Sequence, residues 1–278
     1  MPDIQLTTML DAAIGAAFAA AKAIMQVYAE PFEVEYKADH SPLTLADRQA
    51  HDSIQRLLLS TGLPVLSEEG ADIVPETRQD WAYYWLVDPL DGTKEFVKRN
   101  GEFTVNIALM RRDGLPSGPL GAAEPIAGVI YAPVLDRLYF AWQGGGAYRQ
   151  EAAATRPTLS AYERVAMSSR SPVAKHRTAY TILSSRSHRS PESDAFIRQK
   201  EQEHGSVSFS FMGSALKFGL MADGVADAYP RFAPTMEWDT AAGQIICAEA
   251  GKQLIDVTTN APMRYNKHEL VNNWFIVQ

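Results

Sequence analysis

Two aspartates three residues apart close an aromatic and apolar run in Trp85-Leu86-Val87-Asp88-Pro89-Leu90-Asp91-Gly92-Thr93-Lys94-Glu95-Phe96. Two further acidic sites resemble it in setting: Ser67-Glu68-Glu69-Gly70 follows Pro64-Val65-Leu66, and Asp239 lies in Trp238-Asp239-Thr240-Ala241-Ala242. Each follows apolar or aromatic residues, so each acid can stand at the end of an element. Carboxylates gathered at one place repel one another unless cations hold them, and hard cations such as magnesium prefer oxygen ligands. Pro89 fixes its own φ and pushes Asp88 into an extended conformation, after which the Leu90 carbonyl can turn toward the same space. Gly92 lets the backbone approach a ligand closely, and the Gly92 and Thr93 amides could donate to a phosphate. Taken singly, each site has an ordinary explanation. Asp-x-x-Asp occurs in turns and caps, Ser-Glu-Glu can start a helix, and Asp239 can cap a helix running to Ala250. Their joint presence argues for a metal site.

The elements that must position these acids can be read from periodicity. Leu10, Ile14, Ala17, Phe18, Ala21, Ile24, Met25 and Tyr28 recur at helical spacing. A second helix follows Thr44, a plausible N-cap with Asp47 three residues on. Strands are expected at Leu63–Leu66, ending at Ser67-Glu68, and at Tyr83–Val87, ending at Asp88. Phe103, Val105, Ile107 and Leu109 alternate with Thr104, Asn106 and Ala108, which predicts a half-buried strand. Ile126–Tyr131 and Leu138–Trp142 form a pair. Gly144-Gly145-Gly146 lacks the Lys-Ser/Thr that a P-loop requires, so a turn is the better reading. An aperiodic stretch from about 150 to 163 marks the expected boundary between residues 1–150, an N-terminal α+β domain with most of the candidate ligands, and residues 151–278, an α/β domain completing the site. Beyond it the pattern predicts Tyr180–Leu183, Val207–Phe209 and Val225–Tyr229 as strands, and Pro191–Glu203, Ser214–Ala222 and Asp239–Ala250 as helices.

The composition narrows the function classes. With 278 residues, 46% of them apolar and 21% charged, the chain is of ordinary globular type. A net charge of −7 argues against a nucleic-acid surface, although metals can locally invert the field for an anionic ligand. Cys247 is the sole cysteine, so no intramolecular disulfide can form, and a reducing, cytoplasmic compartment is expected. Cys247 sits in an apolar helical run and reads as a buried structural thiol. The apolar N-terminal helix is interrupted by Asp11 and Lys22, so no integral membrane span is expected.

The string Asp88-Pro89-Leu90-Asp91-Gly92-Thr93, with Lys98-Arg99-Asn100-Gly101-Glu102-Phe103-Thr104-Val105-Asn106, Ser185-Arg186-Ser187-His188, Gly213-Ser214-Ala215-Leu216-Lys217-Phe218 and Tyr229-Pro230-Arg231-Phe232, resembles the inositol monophosphatase-like superfamily of metal-dependent, lithium-sensitive phosphatases over nearly the whole chain. Inositol monophosphatases usually carry a Thr-Asn or similar pair where this chain has Lys94-Glu95, which favours the branch of CysQ-type 3'(2'),5'-bisphosphate nucleotidases. The resemblance implies an α+β fold, a layered α-β-α-β-α sandwich of the sugar-phosphatase type. It implies one magnesium ion on Glu68, Asp88 and the Leu90 carbonyl, and a second on Asp88, Asp91 and Asp239. Such a pair, about 3.5–4 Å apart, clamps an in-line displacement. A third ion would lie near Glu69, with Lys37 organising its shell. The reaction implied is hydrolysis of the 3'-phosphate of adenosine 3',5'-bisphosphate by metal-activated water, with the 3'-phospho sulfate donor as a further substrate. Glu68 and Thr93 would orient the water, and Asp47 would hydrogen-bond Thr93. Asp47 can equally be read as a first-turn helix acid. Gly92 and Thr93 would meet the reacting phosphate, Lys217 and Arg231 the retained 5'-phosphate, and Ser185, His188 and Ser214 the sugar or base. Lys217, Arg231 and His188 also admit the plain reading of exposed polar residues. An inositol or other sugar phosphatase on the same scaffold is the alternative, and a non-catalytic sensor the remote one. Relatives occur as monomers and homodimers, and the family includes proteins peripheral to the inner face of the membrane.

Overall fold

A computed structural model describes residues 5–36, 42–112, 122–174, 179–184 and 190–278. In chain order its first half contains α1 (Leu6–Ala29), β1 (Glu35–Tyr36), β2 (Pro42–Leu43), α2 (Leu45–Leu58), β3 (Val65–Ser67), α3 (Pro75–Arg78), β4 (Tyr83–Asp91), α4 (Thr93–Val97), β5 (Thr104–Arg112), β6 (Ala123–Ala132), β7 (Arg137–Trp142) and β8 (Gly146–Glu151). There follow α5 (Ala161–Ala166), β9 (Ser169–Arg170), β10 (Tyr180–Ser184), α6 (Pro191–His204), β11 (Val207–Phe211), α7 (Leu216–Ala222), β12 (Tyr229–Arg231), α8 (Glu237–Glu249), β13 (Leu254–Asp256), β14 (Ala261–Pro262) and β15 (Phe275–Val277).

Strands β3 to β9 form one seven-stranded sheet in sequence order. Only the β3–β4 pair is parallel. Side chains alternate across this sheet as strand geometry requires. Trp85 and Val87 pack with α1 and α2 on one face, and Tyr84 and Leu86 pack with α7 and α8 on the other. Beyond α7 and α8 lies a second sheet, ordered β12-β15-β13-β14. Its residues Tyr229, Leu254, Phe275 and Val277 close the same core. Phe196 of α6 packs with Ile182 of β10 and Ile276 of β15 as an outer layer. Helices, sheet, helices, sheet and helix therefore stack as the five-layer α+β sandwich expected.

Helix α1 is long and apolar enough to cross a membrane by length and composition. In this fold Leu10, Ile14, Ala17 and Ile24 of its inner stripe are buried in the core. The capping box at α2 forms as expected, with Thr44 accepting from Ala46 N–H and Asp47 accepting from Thr44 N–H.

Three expectations need correction. Strand β5 is buried on both faces rather than half-buried: Thr104, Asn106 and Ala108 are as inaccessible as Val105 and Ile107. Its polar residues face the acidic site instead of water. Strand β4 runs on through Asp91 rather than ending at Asp88. The stretch 225–228 makes only an isolated bridge at Ala228, and the strand lies at Tyr229–Arg231. The three glycines form the turn between β7 and β8, where Gly144 N–H and Gly146 N–H each donate to the Glu249 carboxylate at 2.8 Å.

Candidate metal centre and phosphate pocket

The acidic site is built at the end of β4. Asp88 pairs with Asn106 and Asp91 with Thr104, and the register shifts between them. Pro89 has no N–H for the ladder, so this irregularity brings both aspartates to one place. Leu90 N–H donates to Asp88 Oδ1 at 3.0 Å, and the Leu90 carbonyl accepts from Thr93 Oγ1 at 3.3 Å. Gly92 turns the chain in the left-handed region, with φ +90°. A Cβ there would sit 3.1 Å from Ser214 Cβ and 3.2 Å from the Glu102 carbonyl.

Glu68 follows β3, whose parallel pairing with β4 is extended by Glu68 N–H donating to the Val87 carbonyl at 3.1 Å. Asp239 arrives from the first turn of α8, where Oδ2 accepts from Met236 N–H at 2.8 Å. One oxygen from each of Glu68, Asp88 and Asp239 lies within 4.8 Å of the others. Asp91 stands beside this trio, and its Oδ2 accepts from Ala215 N–H, from Asn106 Nδ2 at 3.3 Å and from Thr104 Oγ1 at 3.5 Å. Thr104 and Asn106 are the site residues that sequence reading passed over; their signal was the polar half of the β5 alternation.

Burial and mutual repulsion raise the pKa values of the three aspartates. Burial first, then the charges of Glu68, Asp91 and Asp239, raises Asp88 well above the usual carboxylate range. Burial and the Asp91 charge push Asp239 up to about 8. Burial raises Asp91 too, against the opposing charge of Lys217. An all-oxygen donor set that repels itself when ionised fits hard divalent cations. The helix acid Asp47, only 2% exposed, uses both its oxygens: Oδ2 accepts from Thr44 and Oδ1 accepts from Thr93 Oγ1 at 3.1 Å. The capping reading and the Thr93 reading therefore both hold.

A cavity of about 490 Å³ opens beside the acids, and Asp91, Gly92, Ser214, Lys217, Arg231 and Asp239 line it. Lys217 is no solvated helix residue. It is 6% exposed, and its ammonium donates to the Ser214 carbonyl at 2.7 Å and the Met212 carbonyl at 3.3 Å. It also lies 5.4 Å from the centre of the Tyr229 ring. Burial draws its pKa down to about 8. Arg231 is half-buried and donates to the Pro234 carbonyl at 3.4 Å, and its Nε is buried without a hydrogen-bond partner among the described residues. Arg231 lines the cavity, where a guanidinium suits an anion. Glu69 is half-buried in the turn after Glu68. Lys37, Ser185 and His188 lie outside the described residues.

A profile of the inositol monophosphatase family matches residues 5–275. The 3'(2'),5'-bisphosphate nucleotidase CysQ of Escherichia coli K12 is 43% identical over 94% of this chain and 95% of its own length. Its counterpart of the same name in Salmonella typhimurium is 44% identical over 85% of this chain and 86% of its own. Among solved structures, CysQ from Bacteroides thetaiotaomicron, described as a bacterial member of the inositol monophosphatase family, superposes with a TM-score of 0.87 at 44% identity. That match covers 99% of this chain and 98% of the other.

Proposed function

Since this chain belongs to the inositol monophosphatase family, we propose that it is a magnesium-dependent 3'(2'),5'-bisphosphate nucleotidase that converts adenosine 3',5'-bisphosphate to AMP and phosphate. The names of relatives above 40% identity support the activity. The observation that supports the substrate is that Asp91 and Asp239, which adjoin the acidic cluster, share one cavity with the cationic Lys217 and Arg231. A substrate with a reacting phosphate and a second, retained phosphate needs both.

Glu68, Asp88 and the Leu90 carbonyl would hold one magnesium ion, and Asp88, Asp91 and Asp239 a second. When bound, these ions neutralise phosphate charge and make water more acidic. The chain's own groups do the positioning. Thr93 donates its hydroxyl hydrogen bond to Asp47 Oδ1, with the Leu90 carbonyl as a second acceptor, so its oxygen lone pairs are left to accept from the attacking water. Glu68 would accept the other proton of that water as its oxygen bonds to phosphorus, and O3' would gain a proton from solvent as it leaves. The Gly92 and Thr93 amides orient the 3'-phosphate as the P–O3' bond breaks. Lys217 and Arg231 hold the 5'-phosphate as fixed donors, with Ser214 beside them against the sugar. Glu69 would contribute to the shell of a third ion. A buried, free Cys247 suits a reducing, cytoplasmic setting.

Phosphate release from adenosine 3',5'-bisphosphate, inositol 1-phosphate and fructose 1,6-bisphosphate, each with magnesium and with chelator, tests this. The bisphosphate nucleotide is expected to dominate by kcat/KM and to fail under chelation. A preference for inositol 1-phosphate would reject the substrate and leave the metal chemistry standing.

A further inference from the structure

The turn at 212–215 ties the acidic site to the cationic one. Ala215 N–H donates to Asp91 Oδ2, and the Ser214 and Met212 carbonyls receive the Lys217 ammonium. One short segment thus sets the position of a candidate metal ligand and of a candidate phosphate donor. Ser214 adopts φ +45°, a region that residues other than glycine seldom occupy and that persists only where the surroundings impose it.

Next to it, Gly213 is held by Glu102. Its Oε2 accepts from Gly213 N–H at 2.7 Å. A Cβ on Gly213 would lie 2.8 Å from Glu95 Cγ and 2.9 Å from the Glu102 carbonyl, so the turn is pressed onto this bed. The bed itself is rigid. Glu102 N–H donates to Asn100 Oδ1 at 2.9 Å, and the next residue, Phe103, is fully buried against Tyr28 and Phe96.

We propose that Glu102 is a positioning residue: by latching Gly213 it holds the 212–215 turn, and through it sets Asp91 for metal and Lys217 for the retained phosphate at once. The phosphate half rests on the nucleotidase reading; the metal half does not.

Three variants separate reach from charge. Glu102→Gln keeps an acceptor at the same distance. Glu102→Asp keeps the charge and draws the acceptor back by one methylene. Glu102→Ala removes it. Two readouts are taken on folded protein: manganese(II) affinity by calorimetry on chelator-treated enzyme, and the ratio of kcat/KM for adenosine 3',5'-bisphosphate to that for adenosine 3'-monophosphate. Loss of a hydrogen bond to a charged acceptor predicts that Glu102→Asp and Glu102→Ala weaken manganese binding by about tenfold and lower the ratio by about tenfold. Glu102→Gln should stay within about threefold of the parent in both. The inference is overturned if Glu102→Asp keeps both readouts and loses only thermal stability. It is also overturned if Glu102→Gln is as impaired as Glu102→Asp, since charge toward the ligand would then be what matters. Inactivity of the parent on the bisphosphate would remove the nucleotidase reading, and the manganese titration would still decide the role of Glu102.

Discussion

Replacing Asp239 by Asn should stabilise the metal-free protein at alkaline pH and destabilise it relative to the parent once magnesium is added. Oxygens of Glu68, Asp88 and Asp239 lie within 4.8 Å of one another. Two unit charges at 4.8 Å repel by about 3.5 kcal/mol at an effective dielectric constant of about 20. Glu68 and Asp239 are only half-buried by surface area, so solvent screening reduces the net relief to about 2–3 kcal/mol. For a chain of this size that is about 5–10 °C in melting temperature. The asparagine keeps an oxygen to accept from Met236 N–H, so the start of α8 is preserved. The sign with pH follows from linkage. The folded-state pKa of Asp239 is raised from 3.8 to about 8. Its contribution is therefore fully present below about pH 4 and is lost as pH rises through about 8. At pH 4 the substitution should change little in the absence of metal, and at pH 9 it should raise the melting temperature. With magnesium at about a thousandfold over its dissociation constant, the parent gains about 4.1 kcal/mol, more than the relief of about 2–3 kcal/mol, and the variant does not, so their order reverses. The assay is thermal denaturation at the two pH values, with chelator and with magnesium. A variant less stable than the parent under every condition would refute the reasoning and leave Asp239 as a helix cap alone.

Other perturbations report on neighbouring parts. Thr93→Val removes the hydroxyl that bonds Asp47; steady-state kinetics should show kcat reduced by about a hundredfold or more, with magnesium affinity by titration nearly unchanged, and Thr93→Ser should recover most of the rate. Gly92→Ala adds a Cβ 3.1 Å from Ser214 Cβ at φ +90°; kcat/KM should fall at least about tenfold, and the melting temperature by a few degrees. Glu237 is fully buried and paired with Lys267 Nζ at 2.5 Å. Lys267→Met should therefore destabilise the fold by about 3–5 kcal/mol at neutral pH, read by denaturant unfolding.

What the sequence disclosed was local. The Thr44–Asp47 cap and the Asp88–Thr93 string are short-range patterns; the structure builds the cap as read and brings both aspartates of the string to one place, although β4 runs on through Asp91. The parts that escaped depend on distant pairings. Asp91 takes its donor from Ala215 and Gly213 reaches back to Glu102. Neither bond leaves a periodic trace. Thr104 and Asn106 looked like the wet side of a strand because alternation tells polar from apolar, not solvent from a polar site. Lys217 was ambiguous for a related reason: a lysine on a helix is usually exposed, and only the packing of Tyr229 and the 212–215 carbonyls shows it buried. The three-residue strands β13 and β15 are too short for any alternation to register.

The bond between Glu249 and the β7–β8 glycine turn gives an outlying hairpin a stake in the chemistry. Loop tips of this kind usually accept extra residues without harm. This one grips the last turn of α8, and Asp239 stands in the first turn of the same rod, ten residues or about 15 Å away. A residue inserted between Gly144 and Gly146 would either release the grip or tug the whole rod along its axis. Activity should suffer at a distance where no substrate is ever touched, so natural variation in length ought to be sparse at this turn.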